Sequence, residues 1–489
     1  MKKQTQRGIC ALLAACVLLC VSPYARATRF ADVPDTHWAA ADIELCAQLG
    51  VMNGVTSTAF GLRQPLSRAS YMVILGRFFQ WLPDDPGILP YQDINPAAWY
   101  APALAAAYRQ GVMTDQSKLF RPEEPVTRGE LAAALIRALG YSTLSGLAGS
   151  PPFADVSANA GYITLAYDMG LMNGNGALFL PNDAATREQA AAILARLYRK
   201  LQAEPRKIGV ISTSGGLWSS AGLQSVAVQA GYLTGVQATP IQYRIEQENA
   251  SSLRASIAAA GADSLLYLSG NVLQWNALTP AASAVFSGGY SGLLLELTGA
   301  SVEASQIQSL QGLLQGRSLH LIVPAPDQTD DDYPYAALSR LADSLTIRVL
   351  GQSRLINGFP SDPVEPLEEV YQALHTLFRS GDSGLDASKC ALLLSASGSS
   401  WTGAVNTGLV SAQEVETMLR SGDVSSHYSE RYACAYLRRA ASDEQPEQVV
   451  WYLDAKSVAS RVRLAKLFDL GGLVLTDANG LTETILQVL

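Results

Sequence analysis

Residues 153–187 read FADVSANAGYITLAYDMGLMNGNGALFLPNDAATR, and this pattern has two earlier copies in the chain. Its opening tetrapeptide returns in similar form at 30–33 and 91–94, and the earlier copies have Gly-Val-Met where this copy has Gly-Leu-Met. Each copy closes on a hydroxyl residue followed by arginine, at 67–68, 127–128 and 186–187. Eight or more positions that recur in phase three times indicate an internal repeat, which decides the fold of the first two hundred residues.

Each copy predicts a helix, a loop and a second helix. In the first copy, apolar residues at helical spacing run from 39 to 50, where a glycine ends the helix. Ser67, Thr127 and Thr186 are predicted N-caps of the second helices, because their hydroxyl groups can accept hydrogen bonds from free backbone N–H groups. An arginine follows each cap in the first helical turn, where the helix dipole favours anions.

This pattern resembles the S-layer homology domain, in three copies over residues 28–200. In that family, three repeats form a pseudo-trimer that binds a secondary cell-wall polymer, often pyruvylated, beneath the outer surface of the bacterial wall. The resemblance implies that Arg68, Arg128 and Arg187 grip anionic groups, a role suited to guanidinium forks. It also implies that further residues line or support the binding grooves, namely Asp32, Trp38, Asp93, Trp99, Asp155 and Tyr162.

The three copies differ in ways that weaken individual grooves. The first copy has Ala69-Ser70 after its arginine, without the usual acidic residue, and the third has Tyr162 where tryptophan is usual. We therefore expect one groove to bind weakly or not at all. The alternative for the arginines is a structural role, in which they cap helices and pair with carboxylates. Three copies in phase behind an export signal favour wall anchoring over that alternative.

The N-terminus predicts export. Basic residues precede an apolar run from 9 to 21, and Ala25-Arg26-Ala27 follows as a small-x-small cleavage site. The run is too short for a membrane span, so we expect no transmembrane anchor. A lipoprotein modified at Cys16 is the alternative, although the residues that follow Cys16 remain apolar. Cleavage after Ala27 would leave a secreted protein attached to the wall at the cell surface.

Composition argues against several functional classes. The 489 residues include 35 Lys plus Arg and 43 Asp plus Glu, so the formal net charge is −8, and 48% of the residues are hydrophobic. An acidic total argues against nucleic acid as a partner, and the hydrophobic fraction argues against disorder. No pattern indicates a metal or an organic cofactor, and the pseudo-symmetry of the anchor favours a monomer. For Cys46, Cys390 and Cys434 we expect buried free thiols, with a Cys390–Cys434 disulfide as the alternative.

The second half of the chain predicts a barrel. After a polar linker at 201–206, short apolar runs alternate with helical segments, which is typical of a parallel sheet. Eight such units in about 280 residues match the size of a (β/α)8 barrel. The expected strands are Ile208–Ile211, Tyr232–Ile245, Ser264–Leu268, Leu293–Leu297, Leu319–Val323, Leu345–Leu350, Ala391–Ser395 and Leu473–Leu475.

Several segments of this half resemble glycoside hydrolase family 18, in particular its spore and cell-wall branch. The similar stretches are 232–236, 289–293, 332–343, 363–374 and 449–472. Family members carry an Asp-x-x-Asp-x-Asp-x-Glu motif on the fourth strand, and its last Glu protonates the glycosidic oxygen. Aligned on the Tyr-Ser-Gly that precedes the strand, the four motif positions are Ser291, Leu294, Glu296 and Thr298.

The catalytic parts implied by this resemblance are replaced together. Thr298 stands at the position of the general acid, and its hydroxyl group cannot donate a proton usefully near neutral pH. The family's Met-x-Tyr-Asp on strand six aligns with 348–351, and its sugar-stacking tryptophan on strand eight aligns with Thr476. We therefore expect a barrel that does not hydrolyse glycans by the family mechanism.

Glu296 is the one carboxylate of the motif that remains. Strand alternation points it into the barrel, about 6–7 Å deeper than the family acid. We expect it to pair with Arg348 or Arg244, or to accept a hydrogen bond from Tyr243; ligand binding and catalysis are the alternatives. The candidate glycan-binding residues of the barrel are Tyr243, Glu296, Arg348, Trp401 and Asp477, with packing the expected role of Trp401.

Together these patterns predict a multidomain protein, an all-α pseudo-trimer of S-layer homology repeats followed by an α/β (β/α)8 TIM-type barrel. The expected boundaries are a signal peptide at 1–27, repeats at 28–86, 87–145 and 150–200, a linker at 201–206 and the barrel at 207–489. The predicted function is non-covalent attachment to secondary cell-wall polymer and peptidoglycan-associated glycans, with a structural or glycan-binding barrel. The alternative is a glycoside hydrolase of cell-wall or chitin-type glycans that contain N-acetylglucosamine. Such an enzyme needs a second carboxyl group about 5–10 Å from Glu296, and Asp477 is its candidate.

Overall fold

A computed structural model describes residues 30–476 except 115–116, 204–206, 213–222, 230–256, 258–261, 272–277, 299–301, 327, 329–332, 380–383 and 444, together with Ile485 and Val488. The chain divides into two compact units. One comprises residues up to Thr127 together with Asp183–Arg196, and the other comprises Arg128–Asn182 and Leu197–Leu489. The predicted signal peptide at 1–27 lies outside the described residues.

Each repeat contributes two α-helices, in line with its periodicity. They are α1 (Ala40–Gln48), α2 (Arg68–Phe78), α3 (Ala101–Arg109), α4 (Arg128–Ala138), α5 (Ala160–Asp168) and α6 (Arg187–Gln202). Ser67 caps α2, because its hydroxyl oxygen accepts a hydrogen bond from the Ser70 N–H at 3.2 Å. At α6 the Thr186 and Gln189 side chains each accept from the other residue's backbone N–H, which is a capping box. Short 3-10 turns at Pro86–Ile88 and Ser142–Gly146 follow α2 and α4.

The prediction of an all-α anchor is wrong, because backbone bridges of the β type connect the turns that precede the second helices. Antiparallel bridges join Pro65 to Thr186, Ser67 to Pro125 and Thr127 to Ala184. The N–H of Leu66 donates to the Ala185 carbonyl, that of Ala185 to Val126 and that of Val126 to Leu66, at 2.8–2.9 Å. An extended backbone before a helix has N–H and C=O groups that need partners, and the three turns supply them to one another.

Eight parallel strands close a barrel in the second unit. They are β1 (Lys207–Ser212), β2 (Leu223–Gln229), β3 (Asp263–Asn271), β4 (Gly292–Thr298), β5 (Ser318–Pro324), β6 (Ser344–Arg348), β9 (Cys390–Ser395) and β15 (Gly472–Thr476). They follow one another around the barrel in this order, and β15 pairs with β1. The connections after β3, β4 and β5 contain α7 (Leu278–Ser287), α8 (Ala304–Leu313) and α9 (Tyr335–Leu341).

The predicted fold class is also wrong for the second half, because antiparallel sheets interrupt the alternation of strand and helix. After β6 come the hairpin strands β7 (Arg354–Ile356) and β8 (Phe359–Ser361), and then α10 (Leu367–Phe378). Between β9 and β15 the chain forms a five-stranded antiparallel sheet. Its strands are β10 (Gly398–Thr402), β11 (Val405–Val410), β12 (Ser425–Ser429), β13 (Cys434–Arg439) and β14 (Gln448–Tyr452). Their order in the sheet is β11-β10-β14-β13-β12. Helix α11 (Ala412–Ser421) follows β11, and α12 (Ala455–Leu467) leads from this sheet to β15.

The second barrel strand is not the one that the sequence predicted. The structure has β2 at Leu223–Gln229, a run that was not among the expected strands. The expected strand Tyr232–Ile245 lies outside the described residues. Strand β14 belongs to the antiparallel sheet, although its sequence resembles the approach to a final barrel strand.

The barrel interior changes from apolar to polar along the strands. One buried layer comprises Leu265, Leu294, Ile322 and Leu393, with Val474 packed against it. Side chains two residues apart share a face of a strand. The next inward positions toward the carboxyl ends are therefore Tyr267, Glu296, Pro324, Ser395 and Thr476, of which all but Pro324 carry a polar group. Parallel barrels have their functional sites at the carboxyl ends of the strands, so this polar layer is the candidate site of the barrel.

Two further features of the described residues are the state of the cysteines and the length of the helices. Cys46, Cys390 and Cys434 are free and buried. None of the described helices is both long enough and apolar enough to cross a membrane.

Candidate functional site

In each repeat an aspartate near the opening of the motif holds the following loop by backbone hydrogen bonds. The Asp32 carboxylate accepts from the N–H groups of Phe60 and Gly61 at 2.7 and 2.8 Å. Asp93 makes the same pair of bonds with 120 and 121, and Asp155 makes it with 179 and 180. These aspartates therefore support the loops rather than point into solvent as ligand contacts.

The same bonds set the acidity of two of these aspartates. Partial burial raises the pKa of Asp32, but the N–H donors of Phe60, Gly61 and Leu62 lower it more, so the net pKa lies below its usual value. For Asp155, the hydrogen bond from the Phe179 N–H is the largest cause of a lowered pKa. Both carboxylates are thus stabilised in the charged form that accepts these bonds.

The three motif arginines all make one contact with the loop of another repeat. The Nε of Arg68 donates to the carbonyl oxygen of Phe120 at 2.8 Å, and its guanidinium carbon lies 5.0 Å from the centre of that phenyl ring. Arg128 makes the same contact with Phe179, at 3.0 and 4.8 Å. Arg187 makes it with residue 60 of the first repeat, at 2.9 and 4.9 Å. Each arginine therefore joins its own helix start to the aspartate-held loop of the next repeat, in cyclic order.

A second nitrogen of two arginines bonds to the backbone as well. The NH2 groups of Arg128 and Arg187 donate to the carbonyl oxygens of Asn173 and Asn53, at 3.0 and 2.5 Å. Burial lowers the pKa of Arg187, although Asp32 and Glu188 oppose this effect. These contacts are structural, but they differ from the alternative that the sequence left open, because the partners are loop carbonyl groups and phenyl rings rather than carboxylates. All three arginine side chains nevertheless stay partly exposed, so their charge remains near the surface.

Two tryptophans at equivalent positions are unusually exposed. Trp38 and Trp99 each stand two residues before the first helix of their repeat, with 63% and 67% of their surface accessible. Burial is the rule for a side chain of this size, so two open indole rings at one repeat position indicate a contact surface. The segment before α5 is three residues shorter, because Asp155 lies five residues before that helix whereas Asp32 lies eight before α1.

This shorter segment changes which residue stands at the tryptophan position of the third repeat. The phase of α5 assigns it to Ala158, whereas Tyr162 lies one turn further on inside the helix. Tyr162 is also half-buried, and Arg137 occupies one face of its ring, with its guanidinium carbon 4.5 Å from the ring centre and its Nε donating to the hydroxyl oxygen at 3.3 Å. Tyr162 is therefore not the counterpart of Trp38 and Trp99.

At the carboxyl end of the barrel strands, Glu296 is engaged by two side chains of the protein. It is 5% exposed; one carboxylate oxygen accepts a hydrogen bond from the Tyr267 hydroxyl, and the other pairs with Arg348. The Arg348 side chain is 41% exposed, so its guanidinium lies between the buried carboxylate and the mouth of the barrel. This arrangement compensates the charge of Glu296 and leaves it poorly suited to act as a free acid or base.

A second buried carboxyl group belongs to the same region. Glu365 accepts hydrogen bonds from the N–H and hydroxyl of Ser395, the residue that ends β9, at 3.1 and 2.5 Å. Burial raises the pKa of Glu365, while the bonds from Ser395 and the charges of Arg461 and Arg348 lower it less. Beside Ser395, the hydroxyl oxygen of Thr476 accepts from the Ala396 N–H at 3.1 Å.

The remaining barrel candidates do not join this cluster in the described part of the chain. Trp401 lies in β10 of the antiparallel sheet, is 6% exposed and directs its indole N–H toward Asp362 at 3.4 Å. The packing role that the sequence favours for Trp401 stays a prediction. Tyr243, Arg244 and Asp477 lie outside the described residues, and for Thr298 only the backbone is described.

The sequence reading missed several residues that build these sites. Phe60, Phe120 and Phe179 recur in phase with the arginines, so the repeat itself carried a signal for them. Tyr267 and Glu365 had no such signal, because their roles depend on which strands and loops the barrel brings together. The described residues also contain no group of three or more His, Cys, Asp and Glu placed to hold a metal ion.

A family model for the S-layer homology domain matches residues 29–72, 90–132 and 152–191. The prediction of three such domains is thereby confirmed. The S-layer protein sap of Bacillus anthracis is 26% identical over 201 residues, which are 40% of this chain and 25% of that protein. An amylopullulanase of Thermoanaerobacterium thermosulfurigenes is 29% identical over 180 residues, which are 35% of this chain and 10% of that protein. The chain spans a quarter or less of these two relatives, and its domains indicate a protein of the cell surface.

Solved chitinase structures resemble part of the chain at low identity. A chitinase from Chromobacterium violaceum shares 16% identity, and the match covers 58% of this chain and 97% of that one with a TM-score of 0.44. A family GH18 chitinase from Cycas revoluta shares 16% identity, and the match covers 58% and 98% with a TM-score of 0.46.

Proposed function

We propose that this protein is exported and held non-covalently on the bacterial wall by its three S-layer homology domains, which bind a secondary cell-wall polymer. The observation that carries the proposal is the pair of exposed tryptophans, Trp38 and Trp99, at one position of two repeats. Open indole faces suit stacking on the apolar faces of sugar rings. The partly exposed arginines add positive charge near each groove, which suits an anionic polymer and therefore a pyruvylated one.

In this proposal the arginines and aspartates position the groove, and the tryptophans contact the polymer. Arg68, for example, fixes the loop at Phe120 through a hydrogen bond and a ring contact, while Asp93 holds the same loop from within its repeat. The geometry favours this division of labour because the Nε of each arginine already bonds to a loop carbonyl. Peptidoglycan-associated glycans are the surroundings in which such an anchor would work.

The barrel, in this proposal, has a structural or glycan-binding role and does not hydrolyse glycans. Its support is the state of Glu296, which Tyr267 and Arg348 engage on both carboxylate oxygens. Thr298, at the position where the family resemblance implies a general acid, has no carboxyl group. The polar layer at the barrel mouth could still contact sugar hydroxyl groups through Arg348, whose side chain is partly exposed.

A second candidate function, a glycoside hydrolase, is favoured by one observation. Glu365 is a buried carboxyl group with a raised pKa near the same strand ends, and a raised pKa is what a general acid requires. Against this candidate, Glu365 is only 5% exposed and already accepts two hydrogen bonds from Ser395.

The test is a pull-down of the chain from residue 28 on purified wall sacculi, with and without their secondary polymer. We expect binding that depends on the polymer, a reduction of at least tenfold for both Trp38→Ala and Trp99→Ala, and no release of reducing sugar. Leu82→Ala is the matched control, because Leu82 is an 85% exposed apolar residue of the first repeat outside the proposed grooves. Binding that ignores the polymer would contradict the anchor, and sugar release abolished by Glu296→Gln or Glu365→Gln would establish the hydrolase instead.

A further inference from the structure

The three first helices of the repeats can be compared position by position, because α1, α3 and α5 have the same length and the same phase. Their last residues are Gln48, Arg109 and Asp168. Gln48 is exposed and the Arg109 side chain is 61% exposed, whereas Asp168 is 1% exposed. The next residue follows the same trend, since Leu49 is 38% exposed and Met169 is fully buried. One helix face is therefore open in the first two repeats and covered in the third.

Helix α10 covers this face of the third repeat, and two of its side chains contact the Asp168 carboxylate. The Asp168 carboxylate accepts from the Tyr371 hydroxyl at 2.7 Å and contacts Nδ1 of His375 at 2.8 Å. Just past α10, the Nε of Arg379 donates to the Asp168 carbonyl oxygen at 2.7 Å. A buried carboxylate is costly unless hydrogen bonds compensate it, and here two side chains of α10 contact the carboxylate while Arg379 bonds to the backbone of the same residue.

Helix α12 and the residues just past it make further contacts with the end of the second repeat and with the last helix of the third. The Tyr141 hydroxyl donates to the Ser460 carbonyl at 2.9 Å, and Arg463 donates to the Leu139 carbonyl at 2.8 Å. At the end of α6, Lys200 donates to the carbonyl of residue 467 at 2.9 Å and pairs with Asp469. All these residues belong to the same compact unit of the chain. The contact thus involves several helices and more than one kind of bond.

The third repeat has also lost the feature that marks a polymer contact in the other two. Its tryptophan position is occupied by Ala158, and one face of the nearby half-buried Tyr162 ring is occupied by Arg137. A repeat that lacks the open aromatic ring and buries an acidic residue under the rest of the chain has changed its role. The missing tryptophan and the buried Asp168 are independent observations, because they concern two different surfaces of the third repeat.

We infer that the third repeat serves as a docking module for the C-terminal region, and that the chain contacts wall polymer through its first two repeats only. The second half of this inference rests on the proposed function, whereas the first half does not. Two ligand-contacting repeats on one chain are enough for a bivalent attachment, in which the second contact is intramolecular and raises the overall affinity.

Hydrogen exchange on the full chain from residue 28 tests the docking role without any ligand. We expect Asp168→Asn to increase the exchange rates of α5 and α10 amides together by at least tenfold, while those of α1 stay within twofold. Tyr371→Phe removes one hydrogen bond without changing shape, and it should give the same pattern with a smaller increase if Asp168→Asn does not fold. Gln48→Ala is the matched control at the equivalent exposed position. Increases confined to α5, or spread evenly over the chain, would overturn the docking role.

Binding to sacculi that retain their secondary polymer tests the two-repeat attachment. The double variant Trp38→Ala/Trp99→Ala should lose binding by at least a hundredfold, well beyond either single variant. If the double variant keeps more than a tenth of the binding, the third repeat contacts polymer and the inference is wrong. If the unchanged chain does not bind these sacculi, the proposed function and the two-repeat attachment both fail, while the exchange result still decides the docking role.

Discussion

At the scale of single residues, one arginine contact occurs three times with nearly the same geometry. Its guanidinium carbon lies 4.8–5.0 Å from the centre of a phenyl ring, and its Nε donates to the carbonyl of the same phenylalanine. A planar guanidinium has a flat face for the ring and donors at its edge for the carbonyl, whereas an ammonium group has no flat face. This contact therefore favours arginine at this position of the repeat for a structural reason, independent of any ligand.

Replacing Arg187 by lysine tests this contact. Arg187→Lys loses the bond to the Phe60 carbonyl, the bond to the Asn53 carbonyl and the flat contact with the ring. We expect the free energy of unfolding of the repeats to fall by about 1–3 kcal/mol, measured by urea titration followed by circular dichroism. Arg63→Lys, at an exposed position of the first repeat, should leave the transition within about 0.5 kcal/mol. Equal effects of the two substitutions would argue against a special role for the contact.

The lowered pKa of Asp32 predicts a loss of stability in acid. A carboxyl group whose pKa is lower in the folded than in the unfolded state stabilises the fold above its unfolded value of about 4. That stabilisation is lost as the pH falls through the lower folded pKa. Unfolding titrations of the wild-type chain between pH 6 and about 2 should therefore show a steep loss. Asp32→Asn should be less stable at pH 6 and less dependent on pH, while Asp35→Asn, at an exposed site, should behave like the wild type.

At the scale of secondary-structure elements, one buried side chain joins a helix to two connections between strands. The guanidinium of Arg461, on α12, is fully buried and donates to backbone carbonyls of 364–365 and 432–433. These segments precede α10 and β13, so one side chain ties α12 to two connections of the barrel. Burial lowers the pKa of Arg461, and the nearby Cys434 and Glu365 oppose that effect.

Removing this side chain should weaken the second unit strongly. Arg461→Met keeps much of the volume but leaves several buried carbonyl groups without a donor, so we expect a loss of about 3–5 kcal/mol in the free energy of unfolding. The measurement is a denaturant titration followed by tryptophan fluorescence. Lys456→Met on the same helix is the control, because Lys456 and its partner Glu430 are both largely exposed. A change below about 1 kcal/mol for Arg461→Met would show that the carbonyl groups find other partners.

The contact between α5 and α10 should depend on pH in the opposite sense to Asp32. The hydrogen bond to Asp168 is the main reason that the pKa of His375 is raised, with burial opposing it. Stabilisation from this pair is fully present below the unfolded value of about 6.5 and is lost as the pH rises through the raised folded pKa. Asp168, Arg379 and the Tyr371 hydroxyl are the titratable or charged groups that face the ring.

Hydrogen exchange at several pH values checks this dependence. After correction for intrinsic exchange rates, protection of α5 and α10 amides should fall between about pH 6 and 8 in the wild type. His375→Gln keeps a polar group that cannot titrate, so its protection should be lower at pH 6 and flat over the same range. A wild-type profile as flat as that of the variant would contradict the prediction.

At the scale of the whole molecule, the compact units do not coincide with the sequence repeats. The third repeat's first helix belongs to the same unit as the barrel, whereas α1 to α3 belong to the other. Repeats that are equal in sequence pattern thus have unequal surroundings. Their side chains differ accordingly. The exposed tryptophans are in the first two repeats, and the buried Asp168 is in the third.

This division predicts an unfolding order. In increasing urea, we expect α5 amides to lose protection together with those of α10 and α12, and α1 amides to lose protection in a separate transition. The reason is that cooperative unfolding follows contacts rather than sequence similarity. Pulse-labelling hydrogen exchange resolves the two groups of helices. A single transition shared by α1, α3 and α5 would mean that the three repeats unfold as one body.

The sequence by itself determined the repeat, its helix pairs, the position of each arginine and the replacement of the family acid by Thr298. These features are local: periodicity, caps and motif positions depend on residues a few places apart. The tertiary structure alone decided that each arginine bonds to the loop of another repeat, that Tyr267 and Arg348 engage Glu296, and that Asp168 is buried. It also decided the antiparallel sheet between β9 and β15 and the β-type bridges of the anchor. Such contacts join residues from about 30 to over 200 positions apart, and their free energy depends on which surfaces meet, which no local pattern encodes.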